Sequence, residues 1–205
     1  MDYANKLTDL SDSSYSVHIQ VLNCFGEFVM SIGLYRGTVV LEKHQKMWKE
    51  NAKKTISVLR DIFSDTAVDI QHVGSSAIES ICAKPIIDIV VGVNNINKVL
   101  ELNKMLEEKG FIFRGQDHPD QYLYVCGTDD FITHHIHVCI YDSDTWNDYI
   151  NMRDYLKHHK DDARSYEDLK KKLALRYPND RKTYTLMKSN MIQEILDKAK
   201  RWRKE

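Results

Sequence analysis

The sequence predicts an α/β fold: a mixed β-sheet core of about five strands with flanking helices, passing into a helical C-terminal part. Three observations predict it. Between residues 67 and 110 segments of strand type and helix type alternate, the order that builds sheets covered by helices. Three more strand-type segments follow, at 111–115, 121–127 and 131–141, the last two separated by the turn sequence GTDD. After residue 142 every remaining segment has helical spacing.

Taken in order, residues 1–14 are polar and carry no periodicity. Val17, Val21, Phe25, Phe28, Val29 and Ile32 then recur at three- and four-residue steps, which predicts one amphipathic helix in an N-terminal extension spanning 1–41. TVVLEK at 38–43 is a short strand candidate, and Met47, Trp48, Ala52, Ile56, Leu59 and Phe63 predict a second helix. AVDIQHV at 67–73 is a strand, GSSAIESICA at 74–83 a turn entering a short helix, and KPIIDIVVGV at 84–93 a strand rich in β-branched residues. Residues 95–110 read as a helix between Asn95 and Gly110, residues suited to its two ends. GTDD makes an antiparallel hairpin of its flanking strands. Asp142, Ser143 and Asp144 are candidate caps for a helix over 145–159; a second covers 163–177; after Tyr177-Pro178, Asn179 or Asp180 can cap a third that runs to Trp202. The main domain is therefore 42–205, helical from about 143.

Composition narrows the function. With 29 basic and 30 acidic side chains and a net charge of -1, no general nucleic-acid-binding surface is expected. Cys24, Cys82, Cys126 and Cys139 show no CxxC pair and read as reduced thiols of a cytoplasmic protein. The polar N-terminus is not a signal peptide, and no apolar run approaches the ~20 residues that cross a bilayer. Trp48 and Trp146 read as packing anchors.

Three clusters can carry chemistry. Gly74, Ser75 and Ser76 follow a strand; such a turn can present amides and hydroxyls to a phosphate, or it can be an ordinary serine cap. Asp88 stands alone among Ile86, Ile87, Ile89, Val90 and Val91, so its charge must be paired, hydrogen-bonded or metal-bound; alternation puts it on one face with Ile86 and Val90. In THHIHV, His135 and His137 share a strand face with Thr133 and Cys139, roughly 7 Å apart, while His134 turns to the core. Two imidazoles with a nearby carboxylate can hold a divalent ion, bind phosphate or move protons near neutrality; the alternative is an exposed polar edge. Arg181, Tyr184 and Lys188 fall on one helix face. That row can close over a phosphate, although spacing alone favours a solvated face. Arg153 with Asp154 and Tyr155 is open in the same way, and Lys170, Lys171 and Lys172 read as a solubilising run.

Taken together and in this order, HVGSSAIESICAKPIIDIVVGV, THHIHV, NMRDYL and YPNDRKTYTLMKSNMI resemble the GrpB family, a group similar to the nucleotidyltransferase superfamily. The resemblance covers roughly residues 42–200. It implies a nucleotidyltransferase-like core in which a Gly-Ser turn binds nucleotide phosphates and three acids hold two metal ions, clamping the attacking and leaving oxygens. Gly74 and Ser75 match the turn and Asp88 the first acid. Val90 stands where the second acid is expected, and His135 and His137 on the strand that brings the third. One carboxylate and two imidazoles suit zinc or another transition metal better than magnesium. Domains of this family also occur fused to dephospho-CoA kinase, which fits a nucleotide-like ligand.

The reading is a protein that binds a nucleotide or other phosphorylated small molecule across Gly74–Ser76, Asp88, His135 and His137. Lys84, Arg181, Tyr184 and Lys188 flank the phosphates, one divalent ion (Mg, Mn or Zn) sits at Asp88, His135 and His137, and the reaction is phosphoryl or nucleotidyl transfer. Two alternatives stand beside it: a non-catalytic nucleotide-binding or regulatory module, favoured by Val90, and a metal-dependent hydrolase built on His135 and His137.

Overall fold

The structure, a computed structural model, describes residues 20–22, 28–30 and 32–204. Strands β1 (Gln20–Leu22) and β2 (Phe28–Met30) pair with each other as antiparallel partners, Val21 opposite Val29. This corrects the helix expected over 17–32 at the residues described; the rest of that segment lies outside them. Val21, Phe28 and Val29 are β-branched or aromatic, residues that suit a strand as well as a helix face, and a short apolar run does not decide between the two periods.

Eight further segments build the core. Strand β3 (Leu34–Tyr35) precedes helix α1 (Lys46–Phe63), which leads to β4 (Ala67–Val73) and β5 (Ile87–Val93). Helix α2 (Asn103–Glu108) is followed by β6 (Ile112–His118), β7 (Gln121–Gly127) and β8 (Phe131–Ile140). The sheet runs β4-β5-β8-β7-β6, with β3 added to one end of β8. β5 and β8 are parallel and every other pair is antiparallel. The mixed sheet is as expected, with the two-residue β3 as a sixth strand.

Alternation sorts the side chains of the central strands onto two faces. Ile87, Ile89, Val91 and Val93 of β5 and Ile136 and Val138 of β8 point to one face, where Trp48, Ala52, Leu59, Ile62 and Phe63 of α1 cover them. β5 is buried on both sides and reads as an apolar run for that reason. Burial of each such side chain stabilises the fold by about 1.5–3 kcal/mol. The opposite face carries Val90 and Cys139 under Trp146 and Ile150 of helix α3 (Asp144–His158). Gly92 makes that contact possible, since a β-carbon there would lie 2.9 Å from the Trp146 ring and 2.8 Å from Tyr141.

Helices α4 (Lys160–Arg176), α5 (Arg181–Met187) and α6 (Ser189–Trp202) complete the C-terminal part. Ser143 caps α3 by accepting from the Trp146 N–H, and Asp180 caps α5 by accepting from the Thr183 N–H. The single helix expected to run to Trp202 is broken at Lys188. There the Ser189 hydroxyl donates to the Leu186 carbonyl at 2.7 Å, competing with the helix ladder.

Three other expectations are corrected. TVVLEK forms only an isolated bridge between Glu42 and Ala83, because Val39 is drawn instead into a cluster with Leu173 and Tyr184. GSSAIESICA makes one 3₁₀ turn, Ser75–Ala77; its serines hydrogen-bond to side chains, and Ile78 and Ile81 bury among α3, α4 and α6. The helix expected over 95–110 is a 3₁₀ segment, Ile96–Leu102, capped by Asn95 and continuing into α2. Among the described residues no helix is long and apolar enough to cross a membrane.

Candidate functional site

The cross-strand register assembles the centre of the site. Val73 pairs with Asp88, and Asp88 lies beside His135 in the parallel β5–β8 pair. His135 Nδ1 is 3.0 Å from Asp88 Oδ1 and His137 Nε2 is 3.9 Å from the same oxygen. The two imidazole rings are 6.0 Å apart. One ligand atom from each of the three residues lies within 4.8 Å of the others. The expected triad is thus on one face, and His134 is on the other, where its Nε2 meets Thr55 Oγ1 at 3.2 Å and burial brings it to about 4.

Gly74 is fixed by Asp88. Its φ is 68° and ψ -171°, a region open essentially to glycine alone, and a β-carbon would lie 2.5 Å from Asp88 Oδ2. The turn therefore closes directly over the carboxylate.

The electrostatics assign the charge states. Burial raises the Asp88 carboxyl, but hydrogen bonds from His135 and His137 outweigh it and hold it well below the ordinary carboxylate range. Burial lowers His135, with Asp88 acting the other way. The pair is accordingly a carboxylate beside a neutral imidazole at neutral pH. These partners assign the His135 tautomer: Nδ1–H donates to Asp88, and Nε2 accepts from Arg181 Nη2 at 3.4 Å. His137 stacks against Tyr149 at 4.9 Å, and its Nδ1 is buried with no hydrogen-bond partner among the described residues.

A cleft of about 650 Å³ opens over this centre. Gly74, Ser75, Ser76, Lys84, Asp88, His135, His137, Tyr184 and Lys188 all line it, and Arg181 reaches it through His135. The solvated-face reading of Arg181, Tyr184 and Lys188 is overturned. Tyr184 is 1% exposed and lies between Lys188 and Lys84, whose ammonium nitrogens are 4.5 and 5.9 Å from its ring centre. Ser76 Oγ is hydrogen-bonded with His72 Nε2 at 3.0 Å, while Ser75 Oγ accepts from Lys170.

Sequence reasoning missed Lys170. It is 2% exposed, lines the cleft, and donates to Ser75 Oγ at 3.2 Å and to the Cys82 carbonyl. Lys171 and Lys172 of its run fit the solubilising reading; both are exposed, and Lys171 pairs with Glu167 at 3.2 Å. The signal was present: Ala163, Tyr166, Lys170 and Leu173 are spaced three and four apart, and all four are buried. Tyr149 and Gln121, also in the cleft wall, were missed because nothing local marks them. Arg153 resolves as a structural tie, bonded to Asp154, to Gln71 and to the His72 carbonyl. Cys82, Cys126 and Cys139 are free thiols, and Cys24 lies outside the described residues.

The wall is strongly cationic. Burial, then Arg181 and Lys188, bring Lys84 to about 7; burial brings Lys170 to about 7 and Lys188 to about 8. Among the described residues, none of Lys84, Lys170, Arg181 and Lys188 stands in an ion pair with a carboxylate within 4.0 Å. Lys170 is buried and the other three are half-buried; cations so placed without partners are costly, and an anion in the cleft relieves that cost.

A family model described as GrpB protein matches residues 38–198. The chain is 38% identical over 171 residues to the glutamate-rich protein GrpB of Alkalihalophilus pseudofirmus, covering 81% of this chain and 98% of that one. It is 29% identical to the UPF0157 protein YqkA of Bacillus subtilis, covering 78% of this chain and about half (47%) of that longer one. The crystal structure of conserved protein GrpB from Enterococcus faecalis superposes with a TM-score of 0.75 at 28% identity, covering 81% of this chain and all of that one. The fold is shared with that structure, the family model and the 38%-identical relative cover the greater part of the sequence, and the chain belongs to the GrpB family.

Proposed function

We propose that the cleft binds a phosphorylated small molecule, in the first instance a nucleotide, and that Asp88, His135 and His137 hold one divalent cation there in support of phosphoryl or nucleotidyl transfer. The observation that carries the reading is the cluster of Lys84, Arg181 and Lys188 beside Asp88, three basic side chains with no carboxylate in ion-pair contact among the described residues. Phosphate oxygens would supply the missing charge, Arg181 by a planar grip and the lysines as point charges. Inorganic phosphates and nucleotides share this chemistry; the 650 Å³ of the cleft is ample for the larger of them.

The donor set fits a metal. One carboxylate and two imidazoles converge, and the buried His137 Nδ1 has no partner among the described residues. Zinc or manganese suits these ligands better than magnesium. When bound, such an ion polarises a phosphate oxygen. The chain's own part is to orient: Arg181 fixes the His135 ring from one side and Asp88 from the other.

The non-catalytic reading also has an observation behind it. Val90, at the position matched to the second acid, is fully buried under Trp146 and Ile150, so a second metal has no ligand there.

Isothermal titration calorimetry with ATP, ADP and pyrophosphate, each with and without Mn or Zn, tests binding. The expected result is nucleotide affinity that falls at least tenfold in Lys188→Met. Zn or Mn affinity measured without nucleotide should fall by a similar factor in Asp88→Asn, whose neutral amide is a poor ligand. No heat with any of the three anions sinks the reading; release of pyrophosphate or labelling of an acceptor, lost in Asp88→Asn, separates an enzyme from a binding module.

A further inference from the structure

Ser75 and Lys170 form a distinct chemical unit in the cleft wall. Lys170 Nζ lies 3.2 Å from Ser75 Oγ, within reach for proton transfer between a nucleophile and its base. The lysine is 2% exposed and its Nζ is 4.8 Å from the centre of the Tyr166 ring. Glu167, one turn earlier on α4, is already committed to Lys171 and to the Cys82 N–H at 2.7 Å. The charged and titratable groups facing Lys170 are Lys84 and Lys188 across the cleft, Glu167, Lys171 and Tyr166 on its own helix, and the Cys82 thiol. Burial first, then Lys188, brings the ammonium to about 7. A neutral amine aimed at a serine hydroxyl is therefore populated at neutral pH.

We propose that Ser75 is a nucleophile, with Lys170 its general base, that attacks the phosphorus of a phosphate ester or anhydride seated on Lys84, Arg181 and Lys188. The Oγ–P bond forms as the bond from phosphorus to the leaving oxygen breaks. The hydroxyl proton passes to Lys170 Nζ, and the leaving group departs with the bonding electrons. The class of electrophile rests on the phosphate reading above; the nucleophile rests on the Ser75–Lys170 geometry alone.

A fluorophosphonate tests this without knowledge of the substrate, because it is attacked at phosphorus and expels fluoride. The full chain is incubated with the reagent, and the adduct is mapped by mass spectrometry. One adduct on Ser75 is expected, formed faster as pH rises through about 7, where Lys170 loses its proton. Ser75→Ala abolishes it. Lys170→Arg, which keeps the cation and its donors but cannot act as a base, slows it at least a hundredfold, the order of a general base's contribution. Lys171→Met, at the exposed neighbour, labels as the parent does. Absence of an adduct, an adduct elsewhere, or Lys170→Arg labelling at the parental rate overturns the proposal. Should Lys170→Arg fail to fold, the pH profile of the parent protein decides, and a profile flat from pH 6 to 9 is equally fatal. Calorimetry with ATP on the same samples keeps the two readings apart. Protein that binds ATP but is not labelled refutes only the nucleophile; protein that is labelled but binds neither ATP nor pyrophosphate refutes only the phosphate site.

Discussion

Replacing Gly74 by alanine should damage the site in two separable ways. The first is conformational. At φ 68° and ψ -171° a side-chain-bearing residue is strained by about 1–3 kcal/mol wherever it stands. The second is local. The new β-carbon would lie 2.5 Å from Asp88 Oδ2 and 3.0 Å from its β-carbon, so the carboxylate must move off His135. Loss of that charge-assisted hydrogen bond costs a further 1.5–3 kcal/mol or so. Gly74→Ala alone is thus expected to lower stability by about 2.5–6 kcal/mol. In an Asp88→Ala background the collision with the carboxylate is gone, leaving the backbone part and the 3.0 Å approach of the two β-carbons, so the two substitutions should be coupled by roughly 1.5–3 kcal/mol. Urea denaturation of the four proteins of this cycle measures it, and the ¹⁵N shifts of the His135 ring report whether Nδ1 still carries its proton. Equal destabilisation by Gly74→Ala in both backgrounds would refute the claim that Asp88 sets the residue at 74.

The remaining predictions concern pH and packing. Lys84, Lys170 and Lys188 lose protons in the folded protein near 7, 7 and 8, against 10.5 when free. Above pH 7 the unfolded chain therefore binds more protons, and the stability of the ligand-free protein should rise from pH 7 to about 8.5, by roughly 1 kcal/mol per pH unit for each lysine titrating. The window closes near 9, where the cysteines of the unfolded chain begin to ionise while burial holds Cys126 and Cys139 up at about 12. Saturating pyrophosphate favours the ammonium forms and should flatten or reverse the slope; a urea midpoint that falls with pH in the ligand-free protein would contradict the lysine assignment. His72 and His134, both brought to about 4 by burial, are neutral in the fold, so stability should fall as pH drops from 6.5 towards 4, read by the same midpoints. Gly92→Ala should cost about 1–3 kcal/mol by overpacking against Trp146 and Tyr141, and an unchanged melting temperature would show that α3 can shift freely.

Part of the site follows from the strand period. Once 131–140 is a strand, His135 and His137 must share a face and His134 must oppose them, and the structure agrees. Asp88 follows in the same way, as the one acid in a strand otherwise apolar. The cationic wall does not follow. Lys170 sits in a lysine run whose composition says surface, and only the packing of α4 against the Ser75 turn buries it. The residues of α5 are equally ambiguous until the break at Lys188 and the burial of Tyr184 turn Lys188 inward. Residues 20–30 failed for another reason: a short apolar run fits both periods, and pairing between the two halves of the run decides it.

By itself the sequence determined the order of most of the core elements, the two faces of the central strands and the presence of a lone carboxylate between isoleucines and valines, because those depend on spacings of two to four residues. Tertiary structure alone decided that β5 and β8 lie side by side and parallel, so that Asp88 meets His135, and that basic side chains from three separate segments line the cleft with them. Those partners are 47 or more residues from one another in the cases of His135 and Lys170 with Asp88 and Ser75. No local periodicity encodes a register set by packing across such distances.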